Sequence, residues 1–517
     1  MAIDTYNQSL KDKFNVFKDN LLSSKKYWII YLIMILIFTL SRFEIVNYEH
    51  PKMEILIFVL LSLIGIFCIS YFYGHNNEKE LYKTAFIIIL IFGIICSFAT
   101  PICFAPDEVE HFVRTEITSR GDLFPAYING SFQTIQSTID LISVSRMTHH
   151  NFDEVNRFNS TIFYTDADTM PINHTIIDYP SAFMQNPFWG YFFPAIGMFI
   201  AKLLNLNAIW LLWLGRIFNI LLYSSLVSIA IKKTPILKVQ MLVFSCIPLA
   251  VFSAGSLSID AFINGMGILT IAYFFYLYKL PEKSIDYKHI IKYSILVALI
   301  GTCKVTCFVL IFLLIFIPKE NFKSDREYFL GFLSVIIMAI FALLWSKYYS
   351  HPGFLNSHRS TKWAASKINS TQQIDFILSH KKQTLMEILK IPNYIKEDLV
   401  FRWGVFNPIY LMFIGAVSLL YPTERFKLKT KMGALFTGII MYIGTYLVFL
   451  ITWTPVGQLN PIMGVQQRYF LTILPLIPFV FGFNHQKMEK SELNMYIIMM
   501  VITFISFMIL YEIFLVY

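Results

Sequence analysis

The sequence contains little charge. Only 15% of its 517 residues are Asp, Glu, Lys or Arg, whereas 56% are hydrophobic and the mean hydropathy is +0.58. Soluble domains carry about 25% charged residues, so an ordinary soluble protein is excluded. Many separate apolar runs reach the roughly 20 residues that a helix needs to cross a bilayer. The composition therefore predicts an all-α integral membrane protein.

Cysteine is also scarce, and all six cysteines lie in or next to apolar segments. None belongs to a CxxC motif or a Cys/His ligand pattern, so we expect neither a disulfide framework nor a zinc site. The stretch Asp166-Ala-Asp168 has the form of a metal-binding DxD motif but stands alone in an Asp-containing loop. We expect no cofactor, and nothing in the sequence indicates a divalent metal.

No basic run is interleaved with aromatic residues, although the net charge is +9. A nucleic-acid partner is therefore not expected. In a membrane protein, an excess of Lys and Arg instead indicates cytoplasmic loops and an affinity for anionic lipid.

The apolar runs predict about 13 transmembrane helices. They are 27–42, 53–73, 85–103, 207–231, 238–255, 260–279, 289–302, 304–318, 328–348, 405–421, 431–452, 468–483 and 495–516. Residues 1–84 are predicted to form an N-terminal addition, made of an amphipathic helix and two of these spans. A disordered tail is the open alternative for the leader. Residues 85–517 are predicted to form the main transmembrane domain.

The positive-inside rule orients the chain. Lys25 and Lys26 predict a cytoplasmic N-terminus, which places two large loops, 105–206 and 349–404, and one shorter loop, 453–467, outside the cell. The chain is outside at residue 187 and inside at the basic segment near Lys232, so it must cross the membrane an odd number of times between them. The apolar stretch 188–204 is therefore expected to lie at the outer interface rather than to span. Most polar residues then face outward, so we expect any chemistry on the extracytoplasmic face.

The strongest candidate site is the stretch Phe104-Ala-Pro-Asp-Glu-Val-Glu-His-Phe-Val-Arg114. On a predicted helix over 106–120, Asp107, His111 and Arg114 share one face at i, i+4 and i+7. Ionisable groups beside a bilayer are costly unless they are paired or functional. The alternative is a solvated helix start with a Glu110–Arg114 pair.

Two further candidates lie at outer ends of apolar segments. Asp260 stands between two apolar helices, where it could position an acceptor or orient a basic group, and a helix N-cap is the alternative. Lys304 interrupts the apolar stretch 290–317, which is too long for one span, so the chain should reach the outer face there. A cation at that boundary suits a lipid phosphate, and snorkelling is the alternative.

The segment Gln466-Gln-Arg-Tyr-Phe470 opens an apolar helix from outside. The fork of the Arg468 guanidinium suits phosphate, with Gln466 and Tyr469 beside it, although an interfacial anchor is an open alternative. Arg216, inside a Trp-rich span, is a weaker candidate that could be a structural charge paired with a carboxylate.

At these positions the sequence resembles the DUF2142 group of bacterial polytopic membrane proteins. Pro106-Asp-Glu-Val-Glu-His111 resembles their PDExxH signature, with Ala105 where a second proline is usual. The further landmarks follow in order: Asn186–Pro194, Arg216–Asn219, Ser258–Ala261, Lys304 and Gly464–Phe470, with Gln467 where Gly is common. That group is similar to the GT-C glycosyltransferases. The resemblance implies a GT-C-like helix arrangement, an Asp107 base and a polyprenyl-phosphate sugar donor.

An outward-facing site has no access to cytoplasmic nucleotide sugars, so an activated sugar must arrive on a lipid. Asp107 is the expected base, with Glu108 or His111 orienting it or the acceptor. Arg468, Lys304 and Arg114 are expected to hold the donor phosphate, and the acceptor to be a cell-envelope glycan. A transporter or flippase and a non-catalytic scaffold for polysaccharide assembly remain alternatives, although no internal repeat typical of secondary transporters is evident.

Overall fold

The structure is a computed structural model that describes residues 15–41, 51–149, 169–181, 183–184, 186–350, 367–395, 403, 405–486 and 491–516. Asp166-Ala-Asp168 lies outside these residues, as do the start of the predicted N-terminal amphipathic helix and part of the loop 349–404. The described residues are mostly helical, which agrees with the predicted all-α class.

Nineteen α-helices occupy the described part of the chain. They are α1 Asn15–Ser23, α2 Lys25–Ser41, α3 Pro51–Tyr73, α4 Leu81–Ala99, α5 Glu108–Ser119, α6 Gln136–His149, α7 Phe192–Leu203, α8 Ile209–Lys233, α9 Lys238–Ser245, α10 Pro248–Ala254, α11 Asp260–Lys279, α12 Tyr287–Cys303, α13 Asp325–Trp345, α14 Ser370–Ser379, α15 Lys381–Lys390, α16 Phe406–Leu419, α17 Leu428–Thr452, α18 Leu476–Phe481 and α19 Ser491–Val516. Short 3-10 helices cover Phe188–Gly190, Val305–Phe316, Lys319–Asn321, Ile391–Tyr394 and Gln467–Ile473, and a π-helix covers Ser346–Ser350.

Seven of the described helices are long and apolar enough to cross a membrane, or eight if the bent pair α1 and α2 counts as one span. These helices fit a multi-pass membrane protein. The predicted count of about 13 is not confirmed, because several predicted spans are short or broken helices. The span 238–255 divides into α9 and α10 at Pro248, whose ring removes a backbone donor. Within the apolar stretch 188–204, α7 has 12 residues and is too short to cross.

Helix α8 lies at the centre of the bundle, where it packs against α4, α7 and α11. Its contact with α7 is close, since a Cβ added at Gly197 would lie 2.3 Å from the backbone oxygen of Leu214. Helices α11 and α19 are buried over most of their length, whereas α13 is largely exposed, as expected of a helix that contacts lipid. The C-terminal helix α19 also packs against α2 and α3, where the Tyr31 hydroxyl donates to the Leu61 carbonyl.

A small subdomain precedes α7. Strands β1 (Phe132–Ile135) and β2 (Ile176–Tyr179) form an antiparallel pair. The buried carboxylate of Glu116 on α5 joins this subdomain together: it accepts from Thr134 on β1 at 2.7 Å and from Lys202 on α7 at 2.8 Å. Helix α5, which carries part of the predicted site, is thereby held against both the sheet and the bundle.

The connections between helices meet at two ends of the bundle. At one end, the backbone of Thr423 donates to Asn484, and Lys279 pairs with Glu424. Residues 107, 260, 304 and 464–469 gather at the other end around one cavity. Loops that the charge pattern assigns to the same side of the membrane therefore lie together in the structure.

Candidate functional site

Asp107 immediately precedes α5. The helix begins at Glu108 rather than at the predicted residue 106, because Asp107 adopts a left-handed backbone conformation with φ 64°. Asp and Asn tolerate this conformation better than most residues, since a short polar side chain can make local hydrogen bonds. The predicted stop at Gly121 agrees with the structure: α5 ends at Ser119, and Gly121 follows with φ 87°. Asp107 is therefore set at a sharp turn and not within the helical face.

The guanidinium of Arg468 binds this turn from the opposite side of the cavity. One terminal nitrogen contacts Oδ2 of Asp107, and the other donates to the Pro106 carbonyl at 2.8 Å. Its Nε lies 2.9 Å from Oδ2 of Asp260, an ion pair by distance whose N–H is not aligned for a hydrogen bond. Arg468 is 5% exposed. It thus connects two carboxylates from distant parts of the chain.

One carboxylate oxygen of Asp107 remains available. Gln466 donates to Oδ2 at 3.1 Å, and Arg468 contacts the same oxygen. Oδ1 makes no hydrogen bond to any residue that the structure describes, and the Asp107 side chain is 31% exposed. The ion pair therefore orients the carboxylate while one oxygen is left for a ligand.

Lys304 supplies a second cation. As the sequence predicted, the helix is interrupted at this residue. Lys304 has an extended backbone between α12 and the 3-10 helix Val305–Phe316. Its Nζ donates to the Tyr469 carbonyl at 3.3 Å and lies 3.7 Å from the centroid of the Tyr469 ring. It forms no ion pair with the described residues. A partly buried ammonium group held by a π face and a carbonyl attracts an anion.

His111 is held neutral on the same wall. Asn186 donates to the Tyr191 hydroxyl at 3.0 Å, and that hydroxyl lies 2.8 Å from Nδ1 of His111. This hydrogen bond fixes the orientation of the imidazole ring toward the cavity. Burial lowers the pKa of His111 well below its usual range, and the positive charge of Arg468 lowers it further.

These groups line one cavity of about 210 Å³. Aromatic rings form much of the remaining wall. They are Phe183, Phe449, Trp453 and Tyr469, and the Phe449 and Tyr469 rings stack with centroids 5.3 Å apart. The cavity thus combines two carboxylates, two cations, a neutral imidazole and apolar ring faces. Among the described residues, no group of three His, Cys, Asp or Glu side chains could hold a metal ion.

Glu108 and Arg216 lie outside the cavity lining and behind it. Arg216 donates to both carboxylate oxygens of Glu108, at 2.7 Å and 2.6 Å, and both side chains are 0% exposed. Glu108 also accepts from the backbone of Leu257 at 2.8 Å. These contacts join the segment before α5 to the segment before α11.

Arg114 is also absent from the cavity lining. It donates to Thr118 at 2.7 Å and to the carbonyls of Leu123 and Asn186 at 3.0 and 3.2 Å. Its side chain is fully buried, and its hydrogen bonds connect α5 to the following loop. Of the three residues predicted to share one helical face, Asp107 and His111 therefore line the cavity, whereas Arg114 lies in the core.

The sequence model of a family described as a predicted membrane protein (DUF2142) matches residues 90–477. The chain belongs to the DUF2142 family. No curated protein and no solved structure matches it.

The DUF2142 match includes every candidate site residue, whereas residues 1–84 precede it. Seven of the ten predicted site residues line the cavity in the structure. They are Asp107, His111, Asp260, Lys304, Gln466, Arg468 and Tyr469. The other three, Glu108, Arg114 and Arg216, lie in the supporting shell.

Sequence reasoning did not select the residues that position His111 or the aromatic residues that line the cavity. Asn186 and Tyr191, which hold His111, belong to the landmark Asn186–Pro194 and could have been chosen on that ground. Phe449 and Trp453 have no comparable signal, because aromatic residues near the end of an apolar helix are common in membrane proteins.

Proposed function

We propose that this protein is a glycosyltransferase of the bacterial plasma membrane, with a cytoplasmic N-terminus and an extracytoplasmic active site. It moves a sugar from a polyprenyl-phosphate donor to a cell-envelope acceptor, with a GT-C-like arrangement of helices. The observation that carries the proposal is the meeting of Asp107, Lys304 and Arg468 in one cavity, although about 360 residues separate the first from the last.

The two cations suit the donor. A polyprenyl phosphate is a good leaving group once its developing charge is neutralised, so it needs cations rather than a general acid. Lys304 forms no close ion pair with a described carboxylate, although Asp260 interacts with its charge from further away, and it is the group we assign to the phosphate. Arg468 extends the positive field beside it and orients Asp107.

Asp107 is the proposed base. Its Oδ1 takes the proton of the acceptor hydroxyl, while that oxygen forms a bond to the anomeric carbon. The bond from this carbon to the phosphate oxygen breaks, and the electron pair leaves with the polyprenyl phosphate. This single displacement inverts the anomeric centre. The scheme assigns no metal: Lys304 is the cation that meets the leaving phosphate, and Arg468 is shared between Asp107 and Asp260.

The remaining lining suits a sugar. Apolar ring faces such as Phe449 and Trp453 pack against the C–H faces of a pyranose, and polar groups between them bind its hydroxyls. The neutral imidazole of His111 offers a ring nitrogen as donor or acceptor, and the carboxylate of Asp260 is an acceptor. Both have fixed orientations because each is held by a buried partner.

The test uses the full chain reconstituted in vesicles with a panel of radiolabelled polyprenyl-phosphate hexoses and an envelope glycan extract. Wild type should transfer label, and Asp107→Asn should reduce transfer by about 10²- to 10⁴-fold, the usual contribution of a general base. Asn retains the left-handed backbone of position 107. The matched control is Asp178→Asn, which removes an exposed carboxylate on β2.

These vesicles and an assay in cells separate the alternatives. In the vesicles, a flippase would move labelled donor across the bilayer without forming a product. A scaffold would support polymer assembly in cells when Asp107 and Lys304 are both neutralised. Full transfer activity in Asp107→Asn would refute the catalytic assignment.

A further inference from the structure

A groove between helices α12 and α13 forms a second cavity, with a volume of about 870 Å³. The two helices are joined near both of their ends. At their start, the backbone of Lys323 donates to the Ile285 carbonyl at 2.9 Å. At their end, the Trp345 indole donates to the Thr302 carbonyl at 3.1 Å. The helices therefore run side by side in the same direction, and the groove lies along them between these two contacts.

The middle of the groove is apolar. Small residues on both helices leave space between the two backbones; they are Ser294 and Ala298 on α12 and Ser334 on α13. Isoleucine side chains that are more than half exposed border this space; they are Ile291 and Ile295 on α12 and Ile337 on α13. Exposed apolar side chains on a membrane-spanning helix are expected to contact hydrocarbon, so an acyl chain suits this part of the groove.

One end of the groove is charged instead. It is lined by two cations and two carboxylates: Lys323, Arg326, Asp286 and Glu327. The two carboxylates accept from their own neighbours, Asp286 from the His289 backbone at 3.1 Å and Glu327 from the Ser324 hydroxyl. Within the described part of the chain, Lys323, Arg326 and Glu327 form no close ion pair, although nearby charges do. This end therefore presents charges of both signs in equal number.

The length of the groove fits one leaflet of a bilayer. Asp286 and Ala298 line its two ends on α12, and a helix rises about 18 Å over that interval. Half of a hydrocarbon core is about 15 Å thick. The positive-inside rule predicts that the charged end is cytoplasmic, so a lipid of the inner leaflet would lie along the groove with its headgroup at that end.

We propose that this groove binds an aminophospholipid of the inner leaflet, of the phosphatidylethanolamine type. Its phosphate accepts from Lys323 and Arg326, its ammonium donates to Glu327 and Asp286, and an acyl chain lies between the helices. An anionic headgroup would leave the two carboxylates unmatched, and the quaternary ammonium of phosphatidylcholine has no N–H to donate. The site is separate from the cavity around Asp107 and does not depend on the proposed transfer activity.

Native mass spectrometry of the full chain in a non-ionic detergent tests the lipid preference. The probes are phosphatidylethanolamine, phosphatidylcholine and phosphatidylglycerol with identical acyl chains. Wild type should bind phosphatidylethanolamine about tenfold more tightly than either other lipid, the usual effect of one hydrogen bond to a charged group. Equal binding of the three lipids, or a preference for phosphatidylglycerol, would overturn the proposal.

Headgroup recognition is tested with Glu327→Gln, which should abolish the preference for phosphatidylethanolamine over phosphatidylcholine. Its matched control is Glu282→Gln, which removes an exposed carboxylate at the same end of the bundle but outside the groove lining. Lys323→Gln should weaken binding of all three lipids by about tenfold, because each carries a phosphate. Lys292→Gln, at an exposed lysine of α12 outside the lining, is its control.

Occupation of the groove is tested with Ser334→Phe, whose ring fills the space for the acyl chain and should reduce binding of every lipid. Ile336→Phe is the matched control, since Ile336 is 57% exposed on the same helix and does not line the groove. If Ser334→Phe does not fold, the variants at the exposed or partly exposed charged end still decide the question. The proposal is wrong if Glu327→Gln keeps the lipid preference of Glu282→Gln, or if a folded Ser334→Phe binds lipid like Ile336→Phe.

Discussion

Glu108 and Arg216 join the two segments that carry the carboxylates of the cavity. Their side chains form a fully buried bidentate pair, and Glu108 also accepts from the Leu257 backbone. Arg216 donates further to the carbonyls of Ser97, Thr100 and Pro101. The end of α4, the start of α5 and the segment before α11 therefore share one charged junction.

Breaking this junction should destabilise the protein strongly. Glu108→Leu leaves a buried guanidinium without its partner, and removing one member of a buried pair costs about 3–5 kcal/mol. The double variant Glu108→Leu, Arg216→Met should unfold at a higher denaturant concentration than either single variant, because no buried charge remains unpaired. Unfolding is followed by tryptophan fluorescence during denaturant titration in detergent.

The control for that experiment is Glu80→Gln, which breaks an exposed pair with Lys83 at 2.8 Å. Exposed pairs contribute at most about 1 kcal/mol to the free energy of unfolding. This variant should therefore unfold at nearly the same denaturant concentration as wild type. Equal stability of Glu80→Gln and Glu108→Leu would show that the buried junction has no special structural role.

Lys304 should determine affinity for the lipid phosphate. Lys304→Met removes the ammonium group but keeps much of the apolar chain, and loss of a charge-assisted contact should weaken binding of undecaprenyl phosphate by about tenfold or more. Binding is measured by native mass spectrometry of the protein with added lipid, so the sugar need not be known.

The matched control for Lys304 is Lys347→Met. Lys347 also lies near a tyrosine ring, with Nζ 5.2 Å from the Tyr348 centroid, but it is exposed and does not line the cavity. Its loss should leave lipid affinity unchanged. Equal loss of affinity in the two variants would indicate a general effect of positive charge rather than a site at Lys304.

His111 should make stability depend on pH. Because its folded pKa is below the usual value of about 6.5, the unfolded chain binds a proton there more readily than the folded chain. The free energy of unfolding should therefore fall as the pH decreases below about 6.5, by up to about 1.4 kcal/mol per pH unit, until the folded pKa is reached.

His111→Asn removes that contribution and should flatten the curve between pH 6.5 and pH 5, while retaining a polar group near Tyr191. Exposed His174 serves as the control, since His174→Asn should leave the slope of wild type unchanged. If His111→Asn keeps the full slope, the acid sensitivity comes from other groups.

The sequence alone predicted the membrane class, because hydropathy depends only on composition and local order. It also predicted the family, the ends of α5 to within two residues and the interruption of the helix at Lys304. The number of spans was less predictable. An apolar run of about 15 to 18 residues is compatible with a full crossing, a 3-10 segment or two helices divided by proline. The run 238–255 is of the last kind, and hydropathy does not distinguish these cases.

The site divides in the same way. Residue type and position selected Asp107, Lys304 and Arg468, since ionisable groups beside apolar segments stand out in any membrane sequence. Only the tertiary structure decided which of them meet. Arg468 reaches Asp107 across about 360 residues, whereas Glu108, the next residue along the chain, turns into the core to pair with Arg216. Adjacent residues on a helix start point in different directions, and the packing of α4, α8 and α11 determines which direction leads to the cavity.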